Sequence, residues 1–378
     1  MADGPHHVRL HFDDAPGLQD RIRNISAAVR VGGTLWLGSD EGTAIQRLVR
    51  KGDDDFHQAG SFDLAEFFEL PDGRGDEIDI EALDFDDDWL WVLGSHCATR
   101  GKPEKADEGD VEEAFERLGR VRQRPNRRVL ARLPLGPDER GLPTVFTKRT
   151  GRHAACLKMK RADNALSKVM RDDEVLAPFL ELPAKDNGFD IEGVAAAGNR
   201  LFLGLRGPVI AGLAMMLEIR VKEKKSGELK LRKSGPDGRR YCRHALDLHG
   251  LGVRSLHREG DDLLVLAGPA MKLSGRMAIF RWPDAFGGEG DGIVPAERLQ
   301  HVMDLPYGEG VDHAEGLAFL PGDDGEVEML VVHDSPAPHR VSGRTIKADL
   351  YRLDADVLRG EGSVKRPRRG RPRLAAQR

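Results

Sequence analysis

Acidic residues recur at one place in a repeated pattern. Asp79-Ile-Glu81, Asp190-Ile-Glu192 and His313-Ala-Glu315 each open an apolar run, and Asn24-Ile-Ser26 and Gly252-Val-Arg254 hold the same place in two further copies. The next apolar run in four of these five copies ends on another set of chemical side chains: Asp40, Glu41, His96, Arg206, His333 and Asp334. If a fold turned both sets toward one axis, Glu81, Glu192 and Glu315 would repel one another. They would then have to take up protons, pair with cations or hold a metal ion. An oxygen-rich set suits Ca²⁺, Mg²⁺ or Mn²⁺, with zinc or iron if His96 and His333 both ligate. A divalent ion there would activate water, His96, His333 or Asp334 would move protons, and Arg206 and Arg254 would hold an anionic substrate such as a phosphoester. The competing reading is structural: Asn24, Asp79 and Asp190 are residue types that cap turns, and the two histidines would simply be hydrogen-bonded.

The elements that must position these residues are hairpins. Val31 and Thr34 flank Gly32-Gly33, Phe85 and Trp89 flank Asp86-Asp-Asp88, Ala196 and Arg200 flank Ala197-Gly-Asn199, and Arg258 and Asp262 flank Glu259-Gly-Asp261, with Pro321 to Gly325 at the same place in the last copy. Each is a pair of β-rich runs joined by residues that accept a tight turn. A third run follows each hairpin, at 44–49, 128–133, 215–221, 277–282 and 348–353. A fourth run ends four of the units, at 60–64, 178–182, 243–248 and 300–305. The last unit lacks its own fourth run, and His7-Val-Arg-Leu-His-Phe12 supplies one. Four strands per unit, repeated and tied end to end, predict an all-β fold, a β-propeller over residues 1–358 closed by the N-terminal strand. Five blades are expected, with six as the alternative because the step from Glu81 to Glu192 is nearly double the others. Residues 111–122 and 154–170 carry apolar side chains at three- and four-residue steps, so 98–177 is expected to be a mostly helical insertion within the second blade.

Composition bounds the rest. The 378 residues are 39% hydrophobic and 32% charged, which provides core material for a globular protein, and there is no apolar run long enough for a membrane helix. Residues 1–14 lack the layout of a secretory signal, so a cytoplasmic protein without membrane contact is expected. Three cysteines, Cys97, Cys156 and Cys242, are too scattered for a disulfide framework or a zinc knuckle. A net charge of −5 argues against a surface that coats nucleic acid. No Gly-x-Ser-x-Gly nucleophile motif and no phosphate loop of the Walker type occurs. Two functions therefore remain: a metal-assisted hydrolase of a phosphoester or related ester, or a non-catalytic propeller scaffold for a protein partner.

The segment Asn187-Gly-Phe-Asp-Ile-Glu-Gly-Val194, followed by Leu203-Gly-Leu-Arg-Gly-Pro208, resembles a bacterial family of unknown function. Asn24-Ile-Ser-Ala27, Leu35-Trp-Leu37, Asp79-Ile-Glu81, Gly94-Ser-His96 and Ala267-Gly-Pro269 extend that resemblance over most of residues 7–354. No activity comes with it. More remotely, the Glu-Gly starts at Glu192 and Glu315 resemble those of esterase-like phytases and lactonase-type propellers. That likeness implies channel carboxylates that bind metal, although Glu81 is followed by Ala82.

After Leu358 the composition turns basic, as Lys365-Arg-Pro-Arg-Arg-Gly-Arg-Pro-Arg373. Arg369, Gly370, Arg371, Pro372 and Arg373 resemble an AT-hook, a segment narrow enough for the minor groove of A·T-rich DNA. Residues 359–378 are thus expected to be a disordered tail making weak DNA contact, or simply a solvated one.

Overall fold

The computed structural model describes residues 4–102, 110–161, 163–224, 227–322, 326–354 and 358, and the basic tail lies outside them. Among the described residues, five four-stranded antiparallel sheets stand around an axis. In chain order from the inside outward, blade one is Ile25–Val31, Thr34–Ser39, Ala44–Lys51 and Asp55–Asp63. Blade two is Ile80–Asp86, Trp89–Gly94, Leu130–Pro137 and Ala155–Leu157. Blade three is Asp190–Ala197, Arg200–Ile210, Leu213–Glu223 and Tyr241–Leu246. Blade four is Gly252–Glu259, Asp262–Gly268, Met277–Trp282 and Gln300–Leu305. Blade five is His313–Pro321, Glu326–Asp334, Thr345–Asp354 and, from the other end of the chain, His6–His11. The first strands of successive blades touch one another, and the first strand of blade five touches that of blade one. The fold is a closed β-propeller.

The hairpins follow from their turns. Gly32, Gly198 and Gly260 take positive φ, as do both Asp87 and Asp88, the backbone a two-residue hairpin turn demands. Inner and second strands are buried on both faces, which is why they read as unbroken apolar runs. Alternate residues face opposite neighbours. Trp36 packs toward blade two with Ile80 and Val92, while Leu35 and Leu37 pack toward blade five with Leu330 and Val332. The core is accordingly one apolar layer between each neighbouring pair of blades.

Two glycines explain the Glu-Gly starts. A Cβ on Gly193 would lie 2.7 Å from Leu256 of blade four, and one on Gly316 would lie 2.8 Å from the Ala28 backbone nitrogen of blade one. A side chain at either place would collide with the neighbouring inner strand. In blade two the same place holds Ala82, buried in the apolar layer toward blade three.

Two expectations need correction. The segment 98–177 is not mostly helical: its described residues include α-helices only at α1, Val111–Gly119, and α2, Ala165–Met170, with a short 3₁₀ turn at Pro125–Arg128, around the third and fourth strands of blade two. Residues 154–170 mix two elements that a single period cannot separate. Ala155 and Leu157 are buried on a strand, and the next helix starts only where the Asn164 side chain accepts from the Leu166 and Ser167 amides. The fourth strand of blade two is Ala155–Leu157, paired with Ala131 and Arg132, and not residues 178–182. There Pro178 lacks an amide hydrogen to donate, and the chain forms a single 3₁₀ turn at Ala177–Phe179.

Outer edges are stitched rather than left open. His6–His11 pairs in parallel with Asp55–Asp63, Glu228–Leu231 with Ala155–Leu157, and Gly292–Val294 with Tyr241–Leu246. Among the described residues no helix is long and apolar enough to cross a membrane.

Closure by His6–His11 buries Val8 and Leu10 completely. Leu10→Ala should therefore destabilise the protein by about 2–5 kcal/mol, read as a lower urea midpoint at an unchanged slope. A loss under half of the lower figure would mean the closing strand contributes little.

Candidate functional site

Each inner strand carries one extra residue that its partner strand does not match. The ladders skip Ser26, Glu81, Glu192, Arg254 and Glu315 in the five blades in turn. A β-bulge frees one side chain from the alternation and re-aims it, and all five are buried. Arg206 is the unmatched residue of its own strand, between the Asp190–Gly207 and Ile191–Leu205 pairs. The recurring sequence column is thus a ring of bulges at one mouth of the channel.

Within that ring the charges form a chain. Arg254 pairs with Glu315 through Nη2, and its Nε stands 3.0 Å from Glu192 Oε2. That second approach is off the hydrogen-bond line, so both atoms lack a hydrogen bond. Arg206 Nη1 donates to Glu192 Oε1 at 2.6 Å, and Nη2 lies 3.3 Å from Asp190 Oδ2. Arg127, just before the third strand of blade two, donates to Asp79 Oδ2 at 2.5 Å and pairs with Glu77. Glu81 makes no ion pair or hydrogen bond with any described residue, although it is only 8% exposed. Asp40 Oδ1 and Asp190 Oδ1 are also buried without partners.

Among the described residues, Asp40, Asp79, Glu81, Asp190, Glu192, Glu315 and Asp334 thus share the mouth with the guanidiniums of Arg127, Arg206 and Arg254. Within this set carboxylates outnumber guanidiniums, and burial raises their proton affinity. Asp79 is pushed up to about 6 by burial despite Arg127, and Glu192 to about 7 despite Arg206 and Arg254. Glu81 is raised well above its ordinary range by burial and then by Asp40 and Asp79. Asp40 is raised likewise, by burial and then by Asp79 and Asp334. The Cys97 thiol is pushed up by burial and by Asp190, so it is no thiolate nucleophile.

Glu81 is the hub. One carboxylate oxygen from each of Asp40, Asp79 and Glu81 lies within 4.8 Å of the others, and the same holds for Glu81, Asp190 and Glu192. An all-oxygen set of this kind matches a hard divalent ion. Above it opens a cavity of two joined lobes, of about 730 and 340 Å³, both lined by Asp40, Arg206, Glu315 and Asp334. Arg254 lines the smaller lobe only. Three lysines, Lys102, Lys185 and Lys272, border both lobes and make no ion pair or hydrogen bond with described residues.

The expected histidines do not reach this cavity. His333 precedes Asp334 on one strand, so the two side chains point to opposite faces. Asp334 enters the cavity, while His333 Nε2 stands 3.4 Å from Asp349 inside blade five. His96 turns away with φ at 59°. Its Nδ1 donates to the Gly94 carbonyl at 2.9 Å, and its Nε2 accepts from the Asn164 amide at 2.8 Å, which fixes a neutral tautomer. Burial pulls both imidazoles down to about 4. Glu315 lines the cavity but is engaged by Arg254, and it belongs to neither three-carboxylate group. Asp79 and Asp190, read as turn caps, belong to the floor. Their spacing of two from Glu81 and Glu192 was the available signal. Arg127 and the lysines had no such signal, because they lie outside the repeated hairpins.

A family model described as "Protein of unknown function (DUF3616)" matches residues 24–349. No curated protein matches the chain. Among solved structures, it is similar to a hypothetical protein from Leishmania major, at 10% identity and a TM-score of 0.41 over 96% of this chain and 93% of that one. It is also similar to an exo-1,5-α-L-arabinanase from a bovine ruminal metagenomic library, at 9% identity, a TM-score of 0.40 and coverage of 88% and 92%. For the glutaminyl cyclase of Myxococcus xanthus the values are 10%, 0.37, 93% and 100%. These likenesses are too distant to say anything of the site.

Glu81 gives a signed pH prediction for the metal-free protein. Folded Glu81 keeps a proton that the unfolded chain releases above about 4.5, so its contribution to stability falls as pH rises from there until its raised folded value is passed. Glutamine mimics the protonated form. In the presence of a chelator, Glu81→Gln should therefore gain on the parent with rising pH, by at most about 1.4 kcal/mol per unit. Urea unfolding at pH 5 and pH 7.5 reads the margin, and an equal margin at both would show that Glu81 is not held protonated.

Proposed function

We propose that this chain, which belongs to the family of unknown function matched over residues 24–349, is a metal-assisted hydrolase of an anionic ester, a phosphoester or a related ester. The observation that carries this reading is Glu81: a buried, unpartnered carboxylate shared by two three-carboxylate groups at the base of an open cavity. Ca²⁺, Mg²⁺ or Mn²⁺ held by Glu81 with Asp40 and Asp79, or with Asp190 and Glu192, would supply Lewis acidity and a more acidic water. The protein's own groups do the rest. Arg206 and Arg254 hold Asp190, Glu192 and Glu315 in place. Since those carboxylates occupy both guanidiniums, the substrate's anionic group falls to Lys102, Lys185 and Lys272 at the rim. With His96 and His333 facing elsewhere and His313 lining only the smaller lobe, Asp334 is the proton acceptor that lines both lobes.

A non-catalytic scaffold is the second reading, and one observation favours it. On α1, Val111, Phe115 and Leu118 follow each other at four- and three-residue steps, 66, 70 and 38% exposed beside the larger lobe. Apolar side chains at this spacing make a stripe that a protein partner would cover. The expected DNA contact of Arg369, Gly370, Arg371, Pro372 and Arg373 lies outside the described residues.

Metal content by plasma mass spectrometry, after dialysis against calcium and against manganese, separates the two. The parent should carry a stoichiometric ion that Glu81→Gln/Glu192→Gln has lost, and it should hydrolyse chromogenic phosphoesters or lactones. No ion in either protein would overturn the hydrolase reading and leave the scaffold. Once a substrate is found, Lys102→Gln/Lys185→Gln/Lys272→Gln should raise KM with little change in kcat, the pattern of lost uniform binding. An unchanged KM would remove the lysines from substrate binding.

A further inference from the structure

The seam that closes the ring carries a second cluster of metal-binding side chains, independent of the channel. His6–His11 runs parallel to Asp55–Asp63 with Arg9 opposite Asp55, Leu10 opposite Phe56 and His11 opposite His57. The period of two sends Leu10 and Phe56 into the core and leaves Arg9, His11, Asp55 and His57 on the outer face. There the His11 and His57 rings stack at 4.4 Å, and His11 Nε2 stands 2.7 Å from Asp55 Oδ1. One ligand atom from each of His11, Asp55 and His57 lies within 4.8 Å of the other two.

The side chains around this cluster orient it. Arg9 donates to both Asp55 oxygens at 2.7 Å, which fixes the plane of the carboxylate and leaves lone pairs on each oxygen. Thr345 Oγ1, on the other neighbour of the closing strand, lies 3.0 Å from His11 Nδ1. Without an ion, Nε2–H donates to Asp55; once that proton is displaced, the hydroxyl accepts from Nδ1–H and the Nε2 lone pair faces the ligand site, the outer-shell support that metal-bound imidazoles use.

We propose that His11, Asp55 and His57 form a site for a late first-row divalent ion of the zinc class, which fastens the closing strand to blade one. Two imidazole nitrogens and one carboxylate oxygen are the donor types such an ion prefers, with the remaining place open to water. This set differs from the all-oxygen channel floor. An ion that binds only where the two strands meet stabilises the closed ring by mass action.

Zinc chloride is the probe, and Glu81→Gln/Glu192→Gln is the starting protein, so that the channel floor cannot answer for the seam. Calorimetric titration should show a single equivalent bound, and zinc should raise the melting temperature. Adding His57→Gln or, on the other strand, His11→Gln should weaken binding by at least the roughly 10–100-fold that loss of a mere outer-shell partner causes, and should abolish the thermal shift. Equal affinity in the parent and both added variants would overturn the proposal, as would zinc binding without any rise in melting temperature.

Discussion

Carboxylates drawn out of water around one axis are the constraint on which this molecule turns. A propeller brings the starts of its inner strands together whether or not their side chains are compatible, and here three of the five bulge residues are glutamates. Two devices answer the repulsion. Arg206 and Arg254 thread between Asp190, Glu192 and Glu315, and Arg127 reaches in from outside the repeat to hold Asp79. The remainder, centred on Glu81, is left to protons or to an ion. Apolar or neutral residues would close a ring more cheaply, so the surplus of charge at this one mouth argues for use rather than for stability.

The bulges link backbone to chemistry. In a regular ladder, Glu192 would alternate strictly with its neighbours and be trapped in an interblade layer. The unmatched residue breaks that alternation, and the Gly193 after it lets the next blade come close. The seam at the N-terminus works on the opposite principle. There the ladder is regular, and regularity places His11 beside His57 on the outer face while Leu10 fills the core.

How much of this could be read in the residues depended on periodicity. The hairpins were legible because Gly or Asp pairs interrupt apolar runs at the turns, and the closing strand because the last unit lacked a fourth run. The acidic column was legible because copies of one hairpin can be aligned. Ala155–Leu157 was not, since three residues are too few to establish an alternation, and a helical spacing just beyond them concealed it. His333 was misplaced for a different reason: aligning strand ends says which residues are near the mouth, but not which of two adjacent ones faces it. Arg127, Lys102, Lys185 and Lys272 sit in connections, where no pattern constrains side-chain direction.

The layering of charge also bears on what can enter. An anion meets Lys102, Lys185 and Lys272 first, and these lysines have no counter-ion among the described residues. Below them lies an excess of carboxylate that would repel the same anion. The two layers are compatible only if the floor is neutralised, and protonation and a divalent ion are not equivalent ways of doing so. Protons on Glu81 and Glu192 add the same net charge as one dication, but they spread it over two separate carboxyl groups that then offer the ligand no cationic centre. A dication concentrates both charges at one point with open coordination places, and so gives the lysines and the floor one shared target. The order of charges from rim to base is therefore better matched to a metal-loaded channel than to a protonated one, and a neutral ligand would use neither layer.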